Sequence, residues 1–321
     1  MTAAGPSGLG APRRPDLGSL RRRLPPHPLT RFAPSPTGHL HLGHVVNAIH
    51  VWGLAGALGG RVLVRMEDHD AGRVRREYEA SILDDLEWLG LYPNVSDLAH
   101  LRSGPSPQRQ SDCAPRYGAA LAHLRAVAPV FACACSRREI AAASGPGSAD
   151  GEMPYPGTCR WLSRPDTHGT GLRVELGNGA EAFEDGCLGA QAQEPARQCG
   201  ALLLRDRHGC WTYQFAVAVD DLAHGIDLVV RGEDLLASTG RQIRLARLLG
   251  RPQPAVFVHH PLLLKDGGAK LSKSDGDTGI RELRASGLTP GAVLGRAAHA
   301  SGLLDTPRPL APDELPALFA G

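Results

Sequence analysis

The sequence predicts an α/β fold built on a doubly wound parallel sheet. A strand–helix–strand–helix alternation in the first hundred residues has the spacing of crossover connections between parallel strands. A sharp Pro- and Gly-rich turn, Pro34–Gly38, joins the first strand to the first helix, at the edge where open sheets of this kind bind ligands. The length of 321 residues suits one large domain with an insertion.

Each element follows from local pattern. Residues 1–28 are rich in Pro, Gly and Arg without helical or strand period, and are expected to form a disordered tail. The first half of the sheet domain is expected over 29–132. Leu29–Ala33 reads as its first strand, and an amphipathic helix runs from about Gly43 to Leu58. Gly59-Gly60 stops that helix, and Arg61–Met66 reads as the second strand. An acidic loop, Glu67–Asp70, opens before a helix over about 75–89. A further helix over about 115–127 leads into Val130–Ala132. Residues 133–199 break the pattern and read as an insertion. A second half is expected over 200–260, with strands at 201–204, 227–230 and 256–260 and a helix over about 238–249. Residues 261–321 read as a basic loop followed by short helices.

Composition excludes several classes. Hydrophobic residues are 42% and charged residues 21%, enough for a sizeable core. The longest apolar runs fall well short of a membrane span, and no secretory signal is evident, so a cytoplasmic chain is expected. The net charge of +2 owes much to an Arg-rich start; the rest is slightly acidic, so any contact with nucleic acid must be local. Seven Cys in that setting favour metal binding over a disulfide framework. Only three of the 35 basic residues are Lys, and these (Lys265, Lys270, Lys273) fall within nine residues. A chain that otherwise writes Arg keeps Lys where a compact charge on a flexible stem is needed.

Three constellations carry chemistry. The first is Pro34-Ser35-Pro36-Thr37-Gly38-His39-Leu40-His41-Leu42-Gly43-His44, between a strand and a helix N-terminus, where phosphate is favoured. Gly43 permits close approach of a nucleotide, and His41 and His44 share the first helical turn. The second is Lys270-Leu271-Ser272-Lys273-Ser274, two cations and two hydroxyls in a Gly-flanked loop suited to polyphosphate. The third is Cys133-Ala134-Cys135 with Cys159: three thiolates within 27 residues suit one tetrahedral zinc.

Together, His-x-Gly-His and Lys-x-Ser-Lys-Ser resemble the paired signatures of class I aminoacyl-tRNA synthetases. Arg31-Phe32-Ala33-Pro34-Ser35-Pro36-Thr37-Gly38 narrows the likeness to the glutamyl branch, joined by Arg65–Asp68, Tyr213–Asp221 and Val230–Leu236. Only 47 residues follow Ser274, too few for the anticodon-binding region of a full glutamyl synthetase. The chain therefore resembles the truncated paralogues, the glutamyl-Q tRNA(Asp) synthetases. Short glutamyl-tRNA synthetases and catalytically silent RNA binders are the alternatives.

The resemblance implies a Rossmann-like catalytic core with a zinc-containing insertion and a short helical C-terminus. It implies tRNA-independent activation of L-glutamate by ATP, with Mg2+, and transfer to queuosine in the anticodon stem-loop of tRNA(Asp). Arg31, Phe32, Ala33, Pro34, Ser35, Glu67, Tyr213 and Arg231 would bind glutamate. His41, Gly43, His44 and Lys273 would meet ATP, and His41, His44, Lys270 and Lys273 would serve catalysis. Cys133, Cys135, Tyr155 and Cys159 would hold structural Zn2+, with His168 or water as the alternative to Tyr155. A monomer is expected.

Overall fold

The computed structural model describes residues 14–70, 72–144, 153–263 and 279–320. Nine strands are placed among the described residues: β1 Leu29–Phe32, β2 Arg61–Val64, β3 Val130–Cys133, β4 Gly171–Val174, β5 Glu181–Asp185, β6 Gly189–Gln193, β7 Leu202–Arg205, β8 Leu228–Gly232 and β9 Val256–His260. Six make the main sheet, in the order β2-β1-β8-β9-β5-β6. The first five are mutually parallel, and β6 returns antiparallel on β5. Parallel strands covered on both faces read as continuous apolar runs, as Val62-Leu63-Val64 and Leu228-Val229-Val230 do.

The helix Leu42–Ala57 crosses from β1 to β2 and buries residues around most of its circumference, including Val45, Ile49, Val51 and Leu54. The sheet covers one side. The C-terminal helix Pro290–Ala300 and the 3-10 turn Pro312–Leu318 cover the other, in one apolar cluster. Two glycines permit that approach: a Cβ on Gly53 would lie 2.3 Å from Phe319, and one on Gly56 would lie 2.4 Å from Pro316. No helix among the described residues is long and apolar enough to cross a membrane.

Two expectations need correction. Residues 14–28 are not an unstructured tail: Asp16 caps a helix, Leu17–Arg23, whose Leu20 is fully buried in the main core. One buried Leu among charged neighbours gives no visible period, because a seven-residue helix spans only two turns. The insertion also has different bounds. Strands β3, β4 and β7 form a separate antiparallel sheet of three, so the segment expected to resume the main sheet at 201–204 belongs to the smaller one. The hairpin β5–β6, expected inside the insertion, extends the main sheet instead. Sequence pattern marks a strand but leaves its partner undecided. Lys265, Lys270, Ser272, Lys273 and Ser274 lie outside the described residues.

Candidate functional site

The site lies where the parallel strands end. Arg31 comes from β1, Arg231 from β8, His260 from the last position of β9, and Glu67 from the segment just beyond β2. They line one cavity of about 770 Å³ together with Ser35, His41, Gly43, His44 and Tyr213. Crevices outside the carboxyl ends of parallel strands form for a topological reason: neighbouring connections leave on opposite faces and part there.

From Ala33 to Leu40 burial alternates strictly through a bend at residues 36–38, where the Thr37 N–H meets the Ser35 carbonyl at 2.8 Å. Ala33, Ser35, Thr37 and His39 are half-buried; Pro34, Pro36, Gly38 and Leu40 are buried. The alternation turns Ala33, Ser35 and Thr37 to the cavity. Phe32 was expected to serve the glutamate pocket through its backbone; its side chain is buried in the core 5.4 Å from the Trp52 ring, on the opposite side of the strand from Arg31. Pro34 contributes through its carbonyl, which accepts the Glu67 N–H at 3.0 Å.

Buried charge organises the floor. Arg31 Nε donates to both Asp221 oxygens at 3.1 and 3.3 Å, and Arg65 donates to Asp221 at 2.7 Å and to Glu67 at 2.8 Å. Burial alone would raise the Asp221 carboxyl, but Arg31 and Arg65 beside it hold it well below the ordinary carboxylate range. Burial opposes the Arg65 charge, and Asp221 and Glu67 more than restore it. With Arg231 and Arg73 on one side and Glu67, Asp221 and Asp234 on the other, the cavity and its floor hold four guanidiniums and three carboxylates. Such a floor favours an anionic ligand.

Arg231 is held on all its nitrogens. Nε donates to His259 Nε2 at 3.0 Å, Nη1 to Gln242 at 2.7 Å, and Nη2 to Thr239 at 2.8 Å and the Leu235 carbonyl at 3.3 Å. Burial lowers its pKa. His259 Nδ1 meets Asp185 at 2.6 Å, so the proton sits on Nδ1 and Nε2 is left to accept from Arg231. Burial likewise lowers the His259 pKa, keeping the ring neutral and the relay oriented. Tyr213 opens the helix Tyr213–Ala223 at the cavity wall, and burial raises its phenol.

The two histidines cap the helix that starts at Leu42. The Gly43 N–H donates to His41 Nδ1, and the His41 N–H donates to His44 Nδ1, each at 3.1 Å. Both Nδ1 atoms are acceptors, so a neutral ring carries its proton on Nε2. The ring centroids lie 3.9 Å apart. A Cβ on Gly43 would come within 3.0 Å of the His41 ring, which gives Gly43 a packing reason as well as its place in the cavity wall. Behind them, His50 and His260 stack at 4.5 Å. Burial pushes them down to about 3 and about 4, so both are neutral near pH 7.

The Cys cluster lies beside the smaller sheet. Cys133, Cys135 and Cys159 bring their sulfurs within 4.8 Å of one another. The Tyr155 hydroxyl accepts the Cys159 N–H at 2.7 Å and lies 3.5 Å from Cys133 Sγ. His168 is exposed and stands outside this group. The Arg173 guanidinium lies over the Tyr155 ring at 4.0 Å.

Sequence reasoning missed Asp185, His259, Gln242 and Thr239, and gave no role to Arg65 and Asp221 although both stand in quoted motifs. Asp185 arrives on β5 from within the expected insertion; the Asn178-Gly179 dipeptide before it and Gly189 after it are the turn signals that could have marked the strand.

Residues 29–298 match the family of tRNA synthetases class I (E and Q), catalytic domain. The chain is 42% identical over 300 residues to the glutamyl-Q tRNA(Asp) synthetase of Symbiobacterium thermophilum, covering 90% of this chain and 91% of that one. It is 44% identical over 251 residues to the protein of the same name from Geobacter sulfurreducens, covering 78% and 76%. In structure it resembles a glutamate tRNA ligase from Elizabethkingia meningosepticum in complex with its amino acid, with a TM-score of 0.72 and 26% identity. The alignment covers 91% of this chain and 64% of that ligase, so the chain spans a little under two thirds of its length.

Proposed function

The chain belongs to the class I tRNA synthetases for E and Q and, within them, to the glutamyl-Q tRNA(Asp) synthetases, and on that premise we propose that its cavity holds glutamate and ATP side by side. The enzyme activates L-glutamate with ATP and passes it to the queuosine base of tRNA(Asp). In the first step a carboxylate oxygen of glutamate attacks the α-phosphorus of ATP. The bond to the β-phosphate breaks, giving glutamyl-adenylate and pyrophosphate. In the second, a hydroxyl of the queuosine cyclopentenediol attacks the activated carbonyl and releases AMP. No protein nucleophile is needed; position and charge carry the rate.

The observation that supports these roles is the gathering of Arg31, Ser35, Glu67, Tyr213 and Arg231 in one cavity with His41, Gly43 and His44. Arg31, fixed through Nε by Asp221 and through Nη1 on the Val230 carbonyl at 3.5 Å, turns its remaining N–H groups to the side-chain carboxylate of glutamate. Glutamine, with no second charge, gains less from that excess positive field. Glu67 takes the ammonium group, and Tyr213 and Arg231 close the pocket. Ala33 and Ser35, with the backbone of Phe32 and Pro34, form its side. His41 and His44 direct Nε2–H donors at the ATP phosphates, where Gly43 leaves room for the nucleotide. Lys270 and Lys273 enter this reading through sequence alone, as the cations that neutralise departing pyrophosphate. ATP enters with Mg2+, and the enzyme acts as a monomer.

The donor set at the smaller sheet fits zinc: three sulfurs within reach of one ion and a phenol beside them. Cys133, Cys135, Cys159 and Tyr155 would hold it. Bound there, zinc supplies a structural cross-link between β3 and the segment carrying Tyr155 and Cys159.

The test is transfer of radiolabelled glutamate to tRNA(Asp) with and without queuosine, beside tRNA(Glu). Label confined to queuosine-containing tRNA(Asp) is the expected result; label on tRNA(Glu) would make this a short conventional synthetase. Arg31→Gln should lower kcat/KM for glutamate in ATP–pyrophosphate exchange by about 100-fold or more, the loss of one charge-assisted bidentate contact. An unchanged value would remove Arg31 from the pocket.

A further inference from the structure

Trp161 is the most exposed large hydrophobic side chain among those described, at 81%, and its neighbour Leu162 is 52% exposed. A lone exposed apolar residue is ordinary. This one is held in place. Arg160 stacks its guanidinium 4.8 Å from the indole centroid and is itself tied to Glu175 at 3.1 Å. The turn beneath is closed by the Arg160 N–H to the Gly157 carbonyl at 2.9 Å and the Leu162 N–H to the Cys159 carbonyl at 3.2 Å. Ser163 then takes a left-handed φ of 43°, a conformation that L residues other than Asn and Asp rarely adopt. Cys159, two residues before Trp161, is anchored through its N–H on the Tyr155 hydroxyl. The indole thus rests against Arg160 on a hydrogen-bonded turn anchored beside Cys159.

Charge points to its occupant. Every residue from Arg160 to His168 is exposed. Within and against this segment stand Arg160, Arg164, Arg125 and Arg205. Two carboxylates answer them: Asp166, shared by Arg125 and Arg205, and Glu175. The patch keeps a positive excess on a chain whose body is slightly acidic. An aromatic face framed by guanidiniums is the surface on which an unpaired nucleobase stacks while its phosphates meet the cations. Trp and Arg also mark protein interfaces, but family membership supplies a tRNA as partner, and the guanidinium excess suits its phosphates.

We propose that Trp161, backed by Arg160 and flanked by Arg164, is a stacking platform for an unpaired base of the tRNA substrate. This rests on the acceptor being a tRNA, as in the functional reading above. The platform grips the acceptor and takes no part in glutamate activation.

Steady-state transfer to queuosine-containing tRNA(Asp), ATP–pyrophosphate exchange and tRNA binding by filter retention are measured on the full chain. Trp161→Ala should raise KM for tRNA about 10-fold with kcat little changed, within the range that one base–aromatic stack confers. Trp161→Phe, which keeps a stacking face, should stay within about 3-fold of the parent. Arg164→Ala should flatten the dependence of tRNA binding on salt. Pyrophosphate exchange should be unchanged in all three, which also certifies their fold. An unchanged KM in Trp161→Ala, an equal loss in the Ala and Phe variants, or a loss of pyrophosphate exchange would overturn the platform. So would a drop in sedimenting mass in Trp161→Ala, which would make the patch a contact between copies of this chain. If tRNA binds through Trp161 yet receives no glutamate, the acceptor assignment falls and the platform stands.

Discussion

The floor of the cavity and the Cys cluster solve the same problem, burial of reactive polar groups, by opposite means. At the floor, Arg31, Arg65, Glu67 and Asp221 balance one another within the chain, each charge paired at hydrogen-bond distance. At the cluster, three thiols and a phenol gather with Arg173 stacked on the phenol ring. Burial pushes the Cys135 thiol up to about 11, while bonds from the Ala134 backbone and the Tyr155 hydroxyl outweigh burial and bring Cys159 down to about 7. The first arrangement needs nothing from outside. The second is a set of good ligands whose thiols would give up their protons on binding a cation. On the reading proposed above, self-balanced charge sits where a substrate comes and goes, and metal-dependent structure sits where the fold is only held.

The largest expected effect tests the self-balanced side. Asp221→Asn leaves Arg31 and Arg65 buried without their shared counter-charge and should cost about 3–5 kcal/mol of stability, the usual penalty for stranding a buried partner. Urea denaturation reads it, and an unmoved midpoint would show that Glu67 and solvent suffice. No added metal should restore the loss.

The Cys side should behave otherwise. Cys159→Ser should abolish zinc measured by atomic absorption and cost about 2–3 kcal/mol, the scale of a lost structural cross-link in a domain with its own core. Chelation of the parent chain should lower Tm in the same way, and added zinc should restore it. A parent chain that carries no zinc and shrugs off chelators would equate the two regions.

A smaller effect lies away from both. Asp85 is 3% exposed, and its Oδ2 has no hydrogen-bond partner. Burial, aided by Asp84, pushes its carboxyl up to about 7 against the pull of Arg284 and Arg281. In the unfolded chain it ionises near pH 4. Between pH 4 and 7 the folded protein therefore keeps a proton that the unfolded one has lost, so this group's contribution falls as pH rises and is fully lost above pH 7. Asp85→Asn should leave stability near that of the parent at pH 4 and raise it by about 1–2 kcal/mol at pH 8, well under the ceiling that such a shift sets. Thermal melts at the two pH values check it, and a gain independent of pH would exclude the carboxyl as its source.

Much of the site is legible from local sequence. Arg31, Ser35, Glu67, His41 and His44 stand in runs whose turn and cap chemistry is short-range, and each reaches the cavity. Tyr213 and Arg231 come from motifs that open a helix and close a strand. Phe32 enters the proposed pocket through its backbone alone, because an extended strand sends alternate side chains to opposite faces and its ring goes to the core. Leu20 went unseen because its helix is too short to show a period. Asp185 went unseen because its role depends on which strand lies beside β9.

By itself the sequence determined the alternation of strands and helices, the caps and turns, and the identity of the groups that touch glutamate and phosphate in the proposed reaction. These rest on interactions between residues a few positions apart. Only the tertiary structure decided that β5 joins the main sheet while β3 and β7 leave it. It also decided that Asp221 and Asp185 stand beneath Arg31 and Arg231, through His259 in the second case. Those pairings join residues 28 to 190 positions apart. Their selection depends on competition among strand edges and buried charges throughout the folded chain, which no local pattern records.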